Sequence, residues 1–192
     1  KLNISHLGDF IMKLEEKTIS SKQVFDGCLL KIYKDEVLLP DGNTATREYN
    51  KHHGAVCVVP LTKDNEVLMV KQYRYPLRQV MLEIPAGKLE KGETPLENCK
   101  RELKEETGAD GYSYMTLGSY VGLCAYSDEI VHMYMCRVDG CGEQHLDDDE
   151  FLNVEKIPFD KVVEMVLNNQ IIDGKTQVAI LKAKYLLDSG KI

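Results

Sequence analysis

Apolar positions along this chain change period several times, and each change marks an element. GAVCVVPL at 54–61 reads as a strand; a Lys-Asp-Asn turn at 63–65 then leads into EVLMVKQYR, followed by QVMLEIPAG. Upstream, KTISSKQVFDG, CLLKIYKDEVLL and TATREYN read as three short strands, the last two joined by a Pro-Asp-Gly-Asn turn at 40–43. These form an appended antiparallel sheet within a first segment, 1–53, that opens on a short helix or extended arm; the main domain spans 54–192. Farther on, YSYMTLGSYV and EIVHMYMCRV carry the aromatic and β-branched residues of strands. IPFDKVVEMVLNN and KTQVAILKAKYLLDSG instead place apolar residues at helical spacing, with Gly190 as a stop. Mixed strands flanked by helices predict an α/β (α+β) sandwich rather than an all-parallel sheet.

One further helix is signalled by its ends. Thr94 fits the N-cap, Pro95 the first helical position and Glu97 the third residue of a capping box, while Gly108 supplies the left-handed stop. Leu96, Cys99 and Leu103 fall together as its buried stripe. At about 100° per residue, Glu102, Glu105 and Glu106 share an arc beside that stripe. Three carboxylates so placed repel one another and need compensation, from Arg101 reaching Glu105 or from a divalent cation. Mg2+ prefers carboxylate oxygen and completes its shell with phosphates, so a diphosphate suits the arrangement.

Composition narrows the classes. At 192 residues and 43% hydrophobic the chain suits one globular domain with a small appendage, and no stretch is apolar enough to span a bilayer. The opening KLNISHLGDFIMKLEEK interleaves acids and lysines, which does not fit a secretory signal, and the lack of an initial Met suggests trimming or a partial chain. Six cysteines, at 28, 57, 99, 124, 136 and 141, include no CxxC pair, so reduced thiols in a cytoplasmic protein are expected rather than disulfides or zinc. A net charge of −7 argues against nucleic acid as a partner, though not against nucleotides bridged by a metal. His52-His53 reads as a loop pair, with a substrate contact as the alternative.

Gly87, Glu93, Arg101, Glu102, Leu103, Glu105, Glu106, Gly108 and Ala109 together resemble the Nudix box, with Ala109 the mildest departure because a larger aliphatic is more usual there. The resemblance implies a Mg2+- or Mn2+-dependent hydrolase of nucleoside diphosphates linked to another moiety, on a Nudix-type mixed-sheet α/β/α sandwich. Carried onto this chain, it makes Glu102 and Glu106 the principal metal ligands, Glu105 a further ligand or catalytic helper, Arg101 an orienting residue and Glu93 a support for the loop. Gly87 would let the backbone approach the metal, with the Ala86 carbonyl as a ligand.

The segments REYNKHHGAVCVVPL, VLMVKQYRYPL, LEIPAGKLEKGE and IIDGKTQVAILKAKYLL are similar to the ADP-ribose and ADP-sugar pyrophosphatase branch. That branch implies a homodimer with an exchanged N-terminal sheet, attack of a metal-activated water on one phosphorus, and AMP and ribose 5-phosphate as products from ADP-ribose. Arg74, Arg47 and Lys88 are the candidate substrate-binding residues, with an ordinary surface arginine the competing reading for Arg47 and Arg78. Glu83 would support the water or metals, or be structural. In DDDEF at 147–151, Glu150 aligns with the family's loop glutamate, as metal ligand or base, and Asp148 is the second candidate. YVGLCAYSDEIVH at 120–132 lacks the proline usual in the branch's downstream turn. GDP-mannose or another nucleotide as substrate, or a sensor domain without turnover, are the alternatives.

Overall fold

The computed structural model describes residues 13–191, which cluster into two compact units; the arm or helix expected over the opening residues lies, up to residue 12, outside them. The smaller unit holds the described residues up to His52 together with Ala125–Asp128. Its antiparallel meander is β1 (Lys17–Asp26), β2 (Lys31–Leu38) and β3 (Thr44–Asn50), with β2 in the middle. The expected turn closes through Asp41, whose carboxylate accepts the Asn43 N–H at 3.0 Å, while Leu39 N–H donates to the Asn43 carbonyl at 2.8 Å. Ser127 bridges Asn50 in parallel, and Asp128 accepts the His52 N–H at 2.6 Å, so the turn lacking its proline is fastened to the end of β3.

In the larger unit, β4 (Ala55–Thr62), β5 (Glu66–Arg74), β6 (Gln79–Glu83), β7 (Ala86–Lys88), β8 (Gly111–Tyr120), β9 (Val131–Val138) and β10 (Leu152–Pro158) form one mixed sheet. Its order is β10-β5-β4-β9-β8, with β6 on β5 and β7 on β4; only β4 and β9 run parallel. Three helices complete it: α1 (Pro95–Thr107), α2 (Phe159–Leu167) and α3 (Gly174–Asp188). Alternation along β4 serves two cores, which explains its nearly unbroken apolar run. Cys57, Val59 and Leu61 pack with Met133, Phe159, Val162, Ala179 and Ile180, whereas Val56 and Val58 pack with Cys99, Leu103 and Cys136. This is the expected three-layer α/β/α sandwich. No helix among the described residues is long and apolar enough to cross a membrane.

QVMLEIPAG is not one strand. It breaks at Ile84-Pro85 because its halves pair with different partners, Gln79–Glu83 with β5 and Ala86–Lys88 with β4. The break is held by one side chain and one backbone bond: Ile84 N–H donates to the Thr176 hydroxyl at 3.0 Å, and the Pro85 carbonyl accepts from Val58 N–H at 3.0 Å. On α1 the buried face is Asn98, Cys99, Leu103, Glu106 and Thr107, with Leu96 only half-buried. Asn98 is drawn in because its amide donates to Glu93 at 2.9 Å. All six cysteines are free, and burial pushes the Cys57 and Cys136 thiols up to about 12, as inert core residues.

Candidate active site

α1 starts and stops as its sequence requires. Thr94 and Glu97 close a reciprocal capping box, Pro95 follows, and Gly108 takes φ 66° with its N–H on the Lys104 carbonyl. A side chain at Gly108 would meet Gly142 backbone at 2.3 Å, so glycine is required twice over, by conformation and by space.

That close approach belongs to a clasp. The loop after β9 donates Gly142 N–H to the Thr107 carbonyl at 3.1 Å, His145 N–H to Glu105 at 2.9 Å and the Gln144 amide to Glu106 at 2.5 Å. Three carbonyls left over at the end of α1 are thereby satisfied. The same loop carries exposed Asp148 and half-buried Glu150, whose N–H turns back to Asp147 at 3.0 Å.

Arg101 sits within a ring of acids, with Nε at 3.2 Å from Glu93 and its two terminal nitrogens at 3.0 Å from Glu102 and 2.6 Å from Glu105. One guanidinium thus ties the loop before α1 to the acidic face of the helix. Glu102 lies against Gly87: a Cβ there would fall 1.9 Å from the Glu102 carboxyl carbon. One turn later Glu106 is 3% exposed and accepts the Ala86 N–H at 3.1 Å. Burial, then the neighbouring Glu105 acting against Arg101, pushes Glu102 up to about 7. Glu106 is raised well above the usual carboxylate range by burial and by Glu150 and Glu102, and Glu150 is raised by burial and Asp147.

Among the described residues no three histidine, cysteine, aspartate or glutamate side chains are gathered as a ready cation cage. The fit for a divalent ion lies in the donors. Half-buried Glu102 and buried Glu106 offer carboxylate oxygens whose charge is left partly uncompensated, beside a glycine backbone with no side chain between.

A second cluster lies upstream of the box. Arg74 clamps Glu83 bidentately, Nε to Oε1 at 2.7 Å and Nη2 to Oε2 at 2.8 Å, and Glu83 is 2% exposed. Lys175 bonds the same carboxylate and also Asp173, at 3.0 Å. Burial opposes ionisation of Glu83, yet Arg74 and Lys175 bring it down to about 2. Lys175 and Asp173 escaped the sequence reading; the N-cap signal at Asp173 marks a helix start and nothing more. Of the remaining candidates, Lys88 is exposed on β7, and Arg47 belongs to the smaller unit, where Glu16 holds its Nε at 2.9 Å.

The signs of these shifts set a pH profile for stability without metal. Glu102, Glu106 and Glu150, raised on folding, oppose it above their folded pKa values, and the opposition fades as pH falls toward their ordinary 4.5. Glu83, depressed on folding, stabilises above 4.5 and loses that as pH drops toward about 2. Chelated protein should therefore melt higher at about pH 5 than at about pH 7, by roughly 2–4 °C, and fall steeply below about pH 4. Saturating Mg2+ should reverse the first difference; calorimetry across pH measures both.

A mixed sheet between helical layers, with a clasped acidic helix entered through a close glycine, defines the class of fold and site. Residues 51–176 match the NUDIX domain and 16–50 the nucleoside diphosphate sugar hydrolase N-terminal domain; the chain belongs to the NUDIX family and is a Nudix hydrolase. It is 39% identical over 182 residues to an ADP-ribose pyrophosphatase of Bacillus subtilis, covering 93% of this chain and 98% of that one. Against the methanol dehydrogenase activator of Bacillus methanolicus it is 41% identical over 170 residues, covering 86% and 91%. A crystal structure of an ADP compounds hydrolase shares the fold, with TM-score 0.80 and 17% identity over 94% of this chain and 99% of that one.

Proposed function

We propose that this hydrolase cleaves the diphosphate of a nucleoside diphosphate sugar, ADP-ribose first, giving AMP and ribose 5-phosphate. The observation that carries the reading is Glu106: a buried carboxylate that feels the charges of Glu150, Glu102 and Lys175, and whose own charge reaches Arg74. Acid for a cation and guanidinium for a phosphate are thus near enough to feel each other's charge. The relatives named ADP-ribose pyrophosphatase, from B. subtilis and Mycobacterium tuberculosis, support the substrate; the second is 30% identical over 169 residues.

In this reading Glu102, Glu106 and the Ala86 carbonyl hold the ion, Mg2+ or Mn2+, with Glu105 and Glu150 as further donors. When bound, the ion neutralises the diphosphate and lowers the pKa of the attacking water. Arg101 orients Glu102 and Glu105. Glu150 takes the water's proton in preference to Asp148, because its half-burial raises its basicity whereas Asp148 is exposed. Arg74 binds phosphate or the terminal ribose, Glu83 fixes it, and Lys88 is a further substrate contact. We also assign the protein to the cytoplasm, where its free thiols stay reduced. A homodimer through the N-terminal sheet suits edge strand β1, which exposes Ile19, Val24 and Phe25.

Rates on ADP-ribose, ADP-glucose, GDP-mannose and 8-oxo-dGTP with Mg2+ test the substrate. ADP-ribose should lead by kcat/KM. A lead for GDP-mannose would overturn the choice, and tight ADP-ribose binding with no turnover of any of the four would replace the enzyme by a sensor.

A further inference from the structure

Glu83 is enclosed by charge from two directions. Arg74, at the end of β5, covers both of its oxygens, and Lys175, in the first turn of α3, reaches Oε2 from 92 residues away in sequence. Side-chain exposure is 2% for Glu83, 15% for Lys175 and 17% for Asp173, against 40% for Arg74. The quartet is neutral, two cations on two anions, and only the arginine opens to solvent.

Such a network is a poor way to gain stability. Buried ion pairs roughly balance their desolvation, and apolar residues of similar volume do as well or better. What the network does provide is direction. Nε and Nη2 of Arg74 are locked on a carboxylate that cannot swing, because the ammonium of Lys175 holds its second side. Lys175 is itself fixed by Asp173, the N-cap of α3, which accepts Thr176 N–H at 3.0 Å and the Thr176 hydroxyl at 2.6 Å. The Thr176 hydroxyl in turn receives Ile84 N–H at 3.0 Å, so one cap anchors both the carboxylate clamp and the backbone two residues before Ala86.

We propose that Lys175, anchored by Asp173, is a positioning residue for diphosphate hydrolysis: it pins Glu83, which aims the guanidinium of Arg74 at the substrate phosphate. The proposal rests on the diphosphatase reading above. Its mechanical half does not, since the aim of Arg74 can be measured without substrate.

The test has two arms, both on the full chain. In the first, Lys175→Met should lower kcat/KM for ADP-ribose by about 10- to 100-fold, the range for losing the support of a site residue, and Lys175→Arg should recover most of it. In an Arg74→Ala background, Lys175→Met should cost nothing further. Full additivity in that cycle would overturn the proposal, because Lys175 would then act independently of Arg74. In the second arm, the Arg74 Nε–H resonance, identified by its loss in Arg74→Lys, should exchange with water at least about tenfold faster in Lys175→Met, as a broken hydrogen bond allows. Unchanged exchange would also overturn it. Should Lys175→Met fail to fold, Asp173→Asn keeps the cap and removes only the negative charge that faces Lys175. It should raise the exchange rate and lower kcat/KM in the same direction, and no change in either would refute the proposal. Faster exchange in Lys175→Met, alongside a wild type that hydrolyses none of the four nucleotides, would leave the clamp standing and sink the diphosphatase reading alone.

Discussion

Glu106→Gln should lower kcat for ADP-ribose by about a thousandfold while leaving the fold intact. The amide is isosteric and its oxygen still accepts the Ala86 N–H that the carboxylate holds at 3.1 Å. What it loses is charge, and a group 3% exposed among Glu102 and Glu150 is where charge is dearest to keep. The metal-free variant should consequently melt no lower than wild type near neutral pH. Removing a ligand or proton acceptor at such a centre costs roughly 10²–10⁴ in rate. Activity within about tenfold of wild type, with normal Mg2+ dependence, would take Glu106 out of the metal site.

Gly87→Ala should be nearly as damaging, for a steric reason. The added Cβ would lie 1.9 Å from the Glu102 carboxyl carbon and 2.1 Å from Oε1, so one of them must move. A carboxylate at the end of a flexible side chain yields more easily than a strand paired to Val56, so Glu102 should swing away while β7 stays in place. We expect kcat/KM to fall by roughly 10²-fold or more, with the melting temperature within a few degrees of wild type, since a misplacement of about 1 Å near the chemistry has that effect. Circular dichroism melts and the ADP-ribose assay together measure it. An active Gly87→Ala would mean that Glu102 need not touch the backbone there.

Both predictions concern a stretch whose local signals are strong, and that is why so much of it was legible in the sequence. Thr94, Pro95, Glu97 and Gly108 each act within one helical turn, and Arg101 meets Glu105 at i+4 through geometry that any helix supplies. The apolar run of β4 likewise announced a strand. Where contacts span distant segments, the sequence was silent. QVMLEIPAG looks like one strand because propensity does not record which partner each half will find. Glu83 and Lys175 are joined by the topology of the sheet and α3, and no spacing rule links them. The clasp of Gly142, Gln144 and His145 on the end of α1 is similar: a helix end needs partners, but not from any particular loop. The acids and Arg74 could therefore be picked out from local sequence, while Lys175, the second cation on Glu83, emerged only from the fold.

Product analysis under metal control tests the central claim most directly. Full-length protein freed of metal by chelation should leave ADP-ribose intact, and adding Mg2+ should yield AMP and ribose 5-phosphate in equal amounts; Glu106→Gln should yield neither. Hydrolysis at the wild-type rate in the presence of excess chelator, or products other than that equimolar pair, would contradict it.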